Sequence, residues 1–174
     1  MKICIYGASS NTIPQIYFEE TGKLAAALAK TGHALVFGGG CGGMMGECAR
    51  RFDEEHATII GIAPGFFHEP GVLYENCTQL IRTDTMRERK QKMEELSDVF
   101  IAVPGGFGTF DEVFEIITLR QLQQHEKPVI LYNINGFYDP LIVFIEKIKA
   151  DNFIRGGGNY FQVAATPQEV LDIL

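Results

Sequence analysis

The chain has 174 residues, of which 46% are hydrophobic and 21% are charged, and its formal net charge is −7. This length and composition predict a single globular domain, and no apolar run approaches the ~20 residues of a membrane-spanning helix. The acidic balance argues against a nucleic-acid polymer as partner, because phosphates along a polymer require a basic surface. A small phosphorylated ligand is compatible with it, since a few local cations and N–H groups can bind one phosphate.

Two further observations bear on where the protein acts. The segment at residues 1–5 begins a strand at once, without the pattern of a signal peptide. Cys4, Cys41, Cys48 and Cys77 form neither a CxxC pair nor a zinc-ligand spacing, so neither a structural metal nor a disulfide framework is indicated. We therefore expect reduced thiols and a cytoplasmic location.

Strand and helix signals alternate along the whole chain. Short apolar runs predict strands at residues 2–6, 34–37, 58–63, 78–81, 98–103, 128–132 and 161–164. Amphipathic runs predict helices from about 14 to 31 and from 46 to 56, at 86–96, 110–124 and 138–150, and from 167 onward. This alternation predicts an α/β fold over residues 1–174, a Rossmann-like three-layer α/β/α sandwich with a mostly parallel sheet of about seven strands. We expect one nucleotide-binding domain.

Sequence signals also mark where helices start. Thr12 is expected to cap the first helix, with a proline in its first turn, and Thr83 or Asp84 to cap the third. Thr166 and Glu169 have the spacing of a capping box at the last helix.

In parallel sheets of this kind, ligands bind outside the carboxyl ends of the strands. The loops after Tyr6, Phe37 and Val103 should therefore converge on one crevice. Residues 66–76 show no clear period and contain a Pro-Gly pair, which indicates a loop that covers a site. Residues 155–158, Arg-Gly-Gly-Gly, indicate a turn.

The first glycine-rich loop follows the second predicted strand. Gly38, Gly40 and Gly43 match the GxGxxG spacing of dinucleotide-binding proteins. That fingerprint also requires an acidic residue about 20 positions later, at the end of the next strand, where this chain has residues 62–64, Ile-Ala-Pro. The match is therefore weak for NAD or FAD. The loop is either a tight turn between strand and helix or a contact, through Gly40, with the sugar or phosphate of a nucleotide.

The second glycine-rich loop, at residues 105–109, follows a buried strand and opens a helix. It is not a P-loop, because no Gly-Lys-Ser/Thr follows. Free N–H groups at a helix start, with the Thr109 hydroxyl, suit a monophosphate. The alternative is that Thr109 caps the helix and forms a capping box with Glu112. A capping box needs only one glycine, whereas this loop has three, so ligand binding is favoured.

Glu112 needs a role other than phosphate binding, because a carboxylate in the first turn would repel a phosphate there. It could orient water, or stabilise the positive charge that develops on a sugar when a glycosidic bond breaks. Further along the same predicted helix, Asp111, Glu115 and Thr118 share one face. That face either contacts the ligand or faces solvent or a partner subunit.

A basic helix at 86–96 supplies cations. Met86, Arg89, Lys90 and Met93 lie at i, i+3, i+4 and i+7, so two cations share a stripe with two methionines that we expect to be buried. An inward-facing guanidinium needs an anionic partner, which is either Glu112 or a ligand phosphate.

Together these motifs resemble the Lonely Guy family: Pro-Gly-Gly-x-Gly-Thr-x-x-Glu at 104–112, preceded by Met-x-x-Arg-Lys at 86–90. The segments at 38–46 and 7–10 also look like the family's, so the resemblance covers nearly the whole chain. The family's members are cytokinin riboside 5′-monophosphate phosphoribohydrolases. The resemblance implies hydrolysis of the N-glycosidic bond of nucleoside 5′-monophosphates, AMP or N6-modified AMP such as cytokinin ribotides, to free base and ribose 5-phosphate.

The resemblance also implies a site. Arg89 and Glu112 match the catalytic pair, no metal or organic cofactor is implied, and the family's members are homodimers or larger, with the site near the subunit interface. The expected substrate-binding residues are Ser9, Gly40, Met86, Lys90, Gly105, Gly106, Phe107, Gly108, Thr109, Asp111 and Thr118.

The same residues bear on two other functions. Bacterial relatives were long labelled possible lysine decarboxylases, but that reaction needs pyridoxal phosphate on a Schiff-base lysine, and nothing in the sequence singles out such a lysine. A non-catalytic carrier of a nucleotide or molybdenum cofactor would keep the glycine-rich turn. It would have no need of the pair formed by Arg89 and Glu112.

Overall fold

The computed structural model describes residues 1–67, 69–156 and 158–174. The strands are β1 (Lys2–Tyr6), β2 (Ala34–Phe37), β3 (Ile59–Pro64), β4 (Gln79–Thr83), β5 (Val99–Ala102), β6 (Val129–Tyr132) and β7 (Gln162–Ala164). The α-helices are α1 (Gln15–Lys30), α2 (Gly43–Glu54), α3 (Met86–Leu96), α4 (Phe107–Gln121), α5 (Asp139–Ala150) and α6 (Pro167–Ile173). A short 3₁₀ helix, Ile134–Gly136, which was not expected from the sequence, follows β6.

The seven strands form one sheet in the order β4-β3-β2-β1-β5-β6-β7, and each neighbouring pair is parallel. The chain builds outward from β1 in one direction and from β5 in the other. The strand order therefore reverses between β1 and β5, which is where open α/β sheets bind their ligands. The predicted α/β class with a parallel sheet is confirmed.

Both faces of the sheet are covered. On β1, Ile3 and Ile5 belong to the core packed beneath α1, α2 and α6, whereas Cys4 and Tyr6 belong to the core beneath α3, α4 and α5. This alternation follows from the two-residue period of a strand. The predicted three-layer sandwich is confirmed. Within the described ranges, no helix combines the length and the apolar character needed to cross a bilayer.

The predicted helix caps were partly wrong. Thr12 does not cap α1, which starts after Pro14 without a side-chain cap, and the Thr12 N–H instead donates to the hydroxyl of Ser10. α3 is capped by Thr85 rather than by Thr83 or Asp84: the Thr85 hydroxyl accepts from the Glu88 N–H at 3.1 Å.

At α3 the Glu88 carboxylate also reaches back to accept from the Asp84 N–H at 2.8 Å. The helix itself starts at Met86, as predicted. The cap predicted for α6 is confirmed. The Thr166 hydroxyl accepts from the Glu169 N–H at 3.2 Å, and the Glu169 carboxylate accepts from the Ala165 N–H at 2.7 Å.

The two predicted irregular segments are only partly described. The described residues of 66–76 contain neither a helix nor a named strand, as expected, and His68 lies outside the described residues. In the turn predicted at 155–158, Gly157 also lies outside the described residues.

Candidate active site

The loops after β1, β2 and β5 converge on one crevice at the carboxyl end of the sheet. The loops after β1 and β5, between which the strand order reverses, are joined at its base by a hydrogen bond from the Ala8 N–H to the Pro104 carbonyl at 3.1 Å. The crevice has a volume of about 650 Å³, within the usual range for a small-molecule site. The predicted convergence is confirmed. Lining residues come from the segments 7–11, 38–42 and 106–109 and from Met45, Phe67, Gly71, Val72, Met86, Arg89 and Glu112.

The loop at 66–76, here called the cover loop, borders the crevice and is fastened to the first glycine-rich loop. The Cys41 N–H donates to the Val72 carbonyl at 2.9 Å, and the Tyr74 N–H donates to the Gly39 carbonyl at 2.8 Å. The Cys41 thiol donates to the Gly71 carbonyl at 2.6 Å. The cover loop is therefore paired with the segment that follows β2, as the predicted covering role requires.

Arg89 and Glu112 form a buried ion pair at the base of the crevice. Arg89 Nη1 donates to Glu112 Oε1 at 2.6 Å, and Arg89 Nε donates to the Ile62 carbonyl at 3.1 Å. The two residues are only 5% and 9% exposed. Among the described residues, neither Arg89 Nη2 nor Glu112 Oε2 has a hydrogen-bond partner. Each partner therefore keeps one polar atom for a ligand or water.

Gly38 makes room for this pair. A Cβ atom at Gly38 would collide with Arg89 Nη2, so only glycine lets the guanidinium lie across the end of β2. The first glycine-rich loop thus contributes to the site by the absence of a side chain.

The electrostatics of Glu112 follow from its burial. Burial raises the pKa of the Glu112 carboxyl above its usual value, and the neighbouring Arg89 guanidinium opposes that rise. The carboxylate form is therefore maintained mainly by Arg89. A carboxyl group in a crevice whose pKa is shifted in this way is typical of functional sites.

α4 begins earlier than expected, and this changes the role of Thr109. The helix starts at Phe107 with Gly106 as its N-cap and no side-chain cap, so Thr109 does not cap it and the capping box with Glu112 is not formed. Thr109 is the third helical residue and Glu112 the sixth, which places the carboxylate in the second turn. Its repulsion of an anion at the helix start is correspondingly weaker.

The start of α4 is an open anion-binding terminus. Within the described part of the chain, the N–H groups of Phe107, Gly108 and Thr109 have no acceptor. Thr109 is 3% exposed and lines the crevice, and its hydroxyl has no hydrogen-bond partner among the described residues. A Cβ atom at Gly105 would collide with that hydroxyl. Three N–H groups and one hydroxyl are thus available for an oxyanion.

The start of α2, beneath the first glycine-rich loop, is closed in contrast. The Asn11 side chain accepts from the Gly43 N–H at 2.8 Å, and the Ala8 carbonyl accepts from the Met44 N–H at 2.8 Å. The first two donors of α2 are therefore satisfied by the protein itself. Among the described residues, the start of α4 keeps three N–H groups without an acceptor, so it offers the crevice more free donors than the start of α2 does.

The predicted site residues divide into two groups. Nine line the crevice: Ser9, Gly40, Met86, Arg89, Gly106, Phe107, Gly108, Thr109 and Glu112. Gly105 lies beneath Thr109. Lys90, Asp111 and Thr118 lie outside the crevice along the outer side of α4, where Lys90 Nζ is 3.0 Å from Asp111 Oδ2 and 2.6 Å from Glu115 Oε2.

The methionines of the α3 stripe differ from each other. Met93 is buried, as expected, but Met86 is 41% exposed at the edge of the crevice, so its predicted burial was wrong. Met86 is the first residue of α3 and lines the crevice.

Some residues of the crevice were not singled out as site residues from the sequence. Asn11 acts on Gly43, 32 positions away, and no local pattern signals such a contact. Gly38 could have been found, because a glycine at the carboxyl end of a parallel strand often marks a close approach. Phe67 and Val72 lie in the predicted cover loop, whose contacts depend on the fold.

Known proteins resemble this chain in sequence. A family model described as "Possible lysine decarboxylase" matches residues 45–174. Cytokinin riboside 5′-monophosphate phosphoribohydrolase LOG2 of Arabidopsis thaliana is 36% identical over 164 residues, covering 94% of this chain and 77% of that protein. The chain belongs to the Lonely Guy (LOG) family. A second LOG-family relative, the probable cytokinin riboside 5′-monophosphate phosphoribohydrolase LOGL3 of Oryza sativa subsp. japonica, is 35% identical over 174 residues, covering 99% of this chain and 82% of its own.

Solved structures share the fold of this LOG-family chain. The molybdenum cofactor carrier protein of Chlamydomonas reinhardtii matches with a TM-score of 0.76 at 23% identity, covering 99% of this chain and 94% of that chain. The molybdenum cofactor binding protein of Rippkaea orientalis matches with a TM-score of 0.74 at 23% identity, covering 99% and 93%. At this identity the likeness shows the fold alone.

Proposed function

We propose that this protein hydrolyses the N-glycosidic bond of nucleoside 5′-monophosphates, AMP or N6-modified AMP such as cytokinin ribotides, to free base and ribose 5-phosphate. The observation that carries the proposal is the buried pair of Arg89 and Glu112 beside the open start of α4. The names of the LOG-family relatives support the same reaction.

The substrate phosphate is placed at the start of α4. The N–H groups of Phe107, Gly108 and Thr109 donate to its oxygens, together with the Thr109 hydroxyl. Ser9 and Gly40 border the remaining space of the crevice, in which the ribose and base lie. The exposed side chains of Met86 and Phe107 offer apolar surface for the base at its rim.

Glu112 acts on the sugar. As the bond from C1′ to the base nitrogen breaks, positive charge develops on the ribose, and the Glu112 carboxylate stabilises it electrostatically. Glu112 Oε2 also orients the water whose oxygen forms the new bond to C1′, and the departing base takes up the proton that this water loses. Arg89 keeps Glu112 ionised through Nη1, and its Nη2 is available to bind a substrate oxygen.

A lysine decarboxylase is not supported by the same site. None of the described residues lining the crevice is a lysine. Lys90, the nearest in sequence to the catalytic pair, is held by two carboxylates outside the crevice. Among the residues that the structure describes, no lysine is thus placed in the crevice to form a Schiff base with pyridoxal phosphate.

Turnover tests the proposal directly. The protein is incubated with AMP and with isopentenyl-AMP, and the free base is measured by chromatography. Glu112→Gln preserves shape but removes the charge, and we expect kcat to fall by roughly 10³-fold. Glu95→Gln, in an exposed pair with Lys92 on α3, is the matched control and should retain full activity.

Two results would contradict the proposal. Release of no base from either nucleotide would exclude the reaction, and recovery of an intact nucleotide or cofactor from the purified protein would then favour the carrier function. Release of base that is equally fast in the Glu112→Gln variant would remove Glu112 from the mechanism.

The proposal includes self-association and a cytoplasmic location. A groove of about 350 Å³ is lined largely by apolar residues of α4, α5 and the segment 158–163, and α5 also exposes Val143 and Phe144. These apolar surfaces support a homodimer through this part of the molecule. Light scattering of Val143→Glu should then report a smaller particle than the unmodified protein. The four cysteines are unpaired thiols, as in the reducing cytoplasm.

A further inference from the structure

α3 and α4 are linked by two adjacent sets of ion pairs. Among the described residues, every hydrogen bond and ion pair between the two helices is made by Arg89 or Lys90. Arg89 reaches inward to Glu112, and its neighbour Lys90 reaches along the outer side to Asp111, the neighbour of Glu112. Lys90 also contacts Glu115, one turn further along α4.

Lys90 is well placed to fix α4. Its side chain is 18% exposed, and its ammonium group lies 3.0 Å from Asp111 Oδ2 and 2.6 Å from Glu115 Oε2. It does not line the crevice. A partly buried lysine bridging two carboxylates of one helix restrains that helix more than a single exposed pair does.

We propose that Lys90 is a positioning residue that, by bridging Asp111 and Glu115, sets the placement of Glu112 and of the open start of α4 relative to Arg89. The proposal rests on the proposed function, because it assigns Lys90 a part in that reaction without contact to the substrate. It replaces the direct substrate contact that the resemblance implied for Lys90.

The charges around Glu112 give the proposal a distinct readout. Arg89 and Lys90 face it from α3, Asp111 lies beside it on α4, and Cys4 and Tyr6 face it from β1. Arg89 and Lys90 lower the pKa of Glu112, whereas burial and Asp111 raise it. Removal of Lys90 leaves its two carboxylate partners without a cation, and it therefore moves the pKa of Glu112 further up.

The experiment compares Lys90→Met and Lys90→Arg with a matched control, Lys92→Met. Lys92 lies on the same helix but pairs only with Glu95 of its own helix, at 2.7 Å. For Lys90→Met we expect kcat for AMP to fall by roughly tenfold, since a small misplacement of Glu112 is costly, while KM changes by less than about twofold. Because the reaction uses the Glu112 carboxylate, kcat falls at low pH, and in Lys90→Met this fall should occur at a higher pH than in the unmodified protein. Lys90→Arg should restore most of the loss, and Lys92→Met should match the unmodified protein.

A second variant separates position from charge and guards against misfolding of Lys90→Met. The double change Asp111→Asn with Glu115→Gln leaves Lys90 without partners. It should lower kcat to a similar degree, but the fall of kcat at low pH should occur at a lower pH, because the change removes negative charge near Glu112.

Two outcomes would overturn the proposal: a tenfold rise in KM for Lys90→Met with unchanged kcat, which would make Lys90 a substrate ligand, or full agreement between Lys90→Met and Lys92→Met. If the unmodified protein cleaves no AMP, the proposed function fails, and amide hydrogen exchange still tests the positioning. Exchange in the first two turns of α4 should then be faster in Lys90→Met than in Lys92→Met, and equal rates would overturn it.

Discussion

The polar side chains of the crevice are fixed by the protein, and each keeps one polar atom available to a ligand. Arg89 uses Nε and Nη1 on protein oxygens and keeps Nη2 free among the described residues, and Glu112 uses one carboxylate oxygen and keeps the second. Thr109 is anchored by its place in the first turn of α4, with its hydroxyl towards the crevice. Holding each group before the substrate arrives removes the need to reorganise it during the reaction.

At the residue scale, the absence of a side chain at Gly38 can be tested. Gly38→Ala places a methyl group where Arg89 Nη2 lies, so the guanidinium must move and Glu112 loses its partner. We expect kcat for AMP to fall by about 10²-fold. Gly65→Ala is the control, because a Cβ there meets only ordinary van der Waals contact, and it should leave turnover unchanged. Equal turnover of both variants would show that Arg89 tolerates displacement.

The raised pKa of Glu112 predicts how turnover depends on pH. The reaction uses the carboxylate, so kcat should fall as pH decreases through the pKa of Glu112, which burial places above the 4.5 of an ordinary glutamate. The measurement is kcat at saturating AMP, because the second ionisation of the substrate phosphate, near pH 6, affects binding. A kcat that instead rose with falling pH would assign Glu112 the role of a proton donor.

At the scale of elements, the two glycine-rich loops show what a sequence can and cannot predict. Both strand-loop-helix units were predicted from local patterns, and all seven strands and six α-helices are present in the predicted order. The loops differ in a way that local patterns do not reveal. Asn11 closes α2 from outside its own unit, whereas α4 starts two residues before Thr109 and remains open.

The alternative of a capping box at the start of α4 is excluded for a related reason. Thr109 and Glu112 have the spacing of a capping box, but Arg89, from another helix, binds Glu112. The prediction that Arg89 faces Glu112 or a phosphate was resolved only by the packing of α3 against the sheet. Periodicity placed Arg89 on an inward stripe, and the fold determined its partner.

The cover loop provides a prediction for an element. The Tyr74 hydroxyl and the Asn76 amide both donate to Asp53 Oδ2 of α2, at 2.8 Å and 2.7 Å. Asp53→Ala removes both contacts, so we expect faster proteolytic cleavage within the cover loop and a higher KM for AMP, by roughly a few-fold. Glu55→Ala, at the C-terminal end of the same helix, is the control. Unchanged cleavage in Asp53→Ala would show that the pairing with residues 39–41 holds the loop by itself.

At the scale of the whole molecule, the two cores were predictable in outline and not in detail. The alternation of apolar runs predicted a sheet covered on both faces, and both cores are built as expected. The partners of buried polar groups were not predictable, because they depend on atoms from distant strands. Tyr132 and Tyr138 are both fully buried, yet among the described residues only the Tyr138 hydroxyl has a hydrogen-bond partner.

This difference gives a matched pair of stability predictions. The Tyr138 hydroxyl donates to the Val103 carbonyl at 2.9 Å, so Tyr138→Phe should lower the free energy of unfolding by about 1–2 kcal/mol. The Tyr132 hydroxyl has no partner among the described residues, so Tyr132→Phe should leave that free energy unchanged or raise it by up to about 1 kcal/mol. Urea unfolding of both variants measures the difference, and equal losses would contradict it.

The closed start of α2 has a consequence for which nucleotides can bind. A dinucleotide such as NAD carries a pyrophosphate, and proteins with the GxGxxG fingerprint bind it at the helix terminus after that loop. Here the Asn11 side chain and the Ala8 carbonyl already accept from the Gly43 and Met44 N–H groups, so these two donors are not available to a second phosphoryl group. Under the proposed function, we therefore expect the site to bind nucleotides with one phosphoryl group in preference to dinucleotide redox coenzymes.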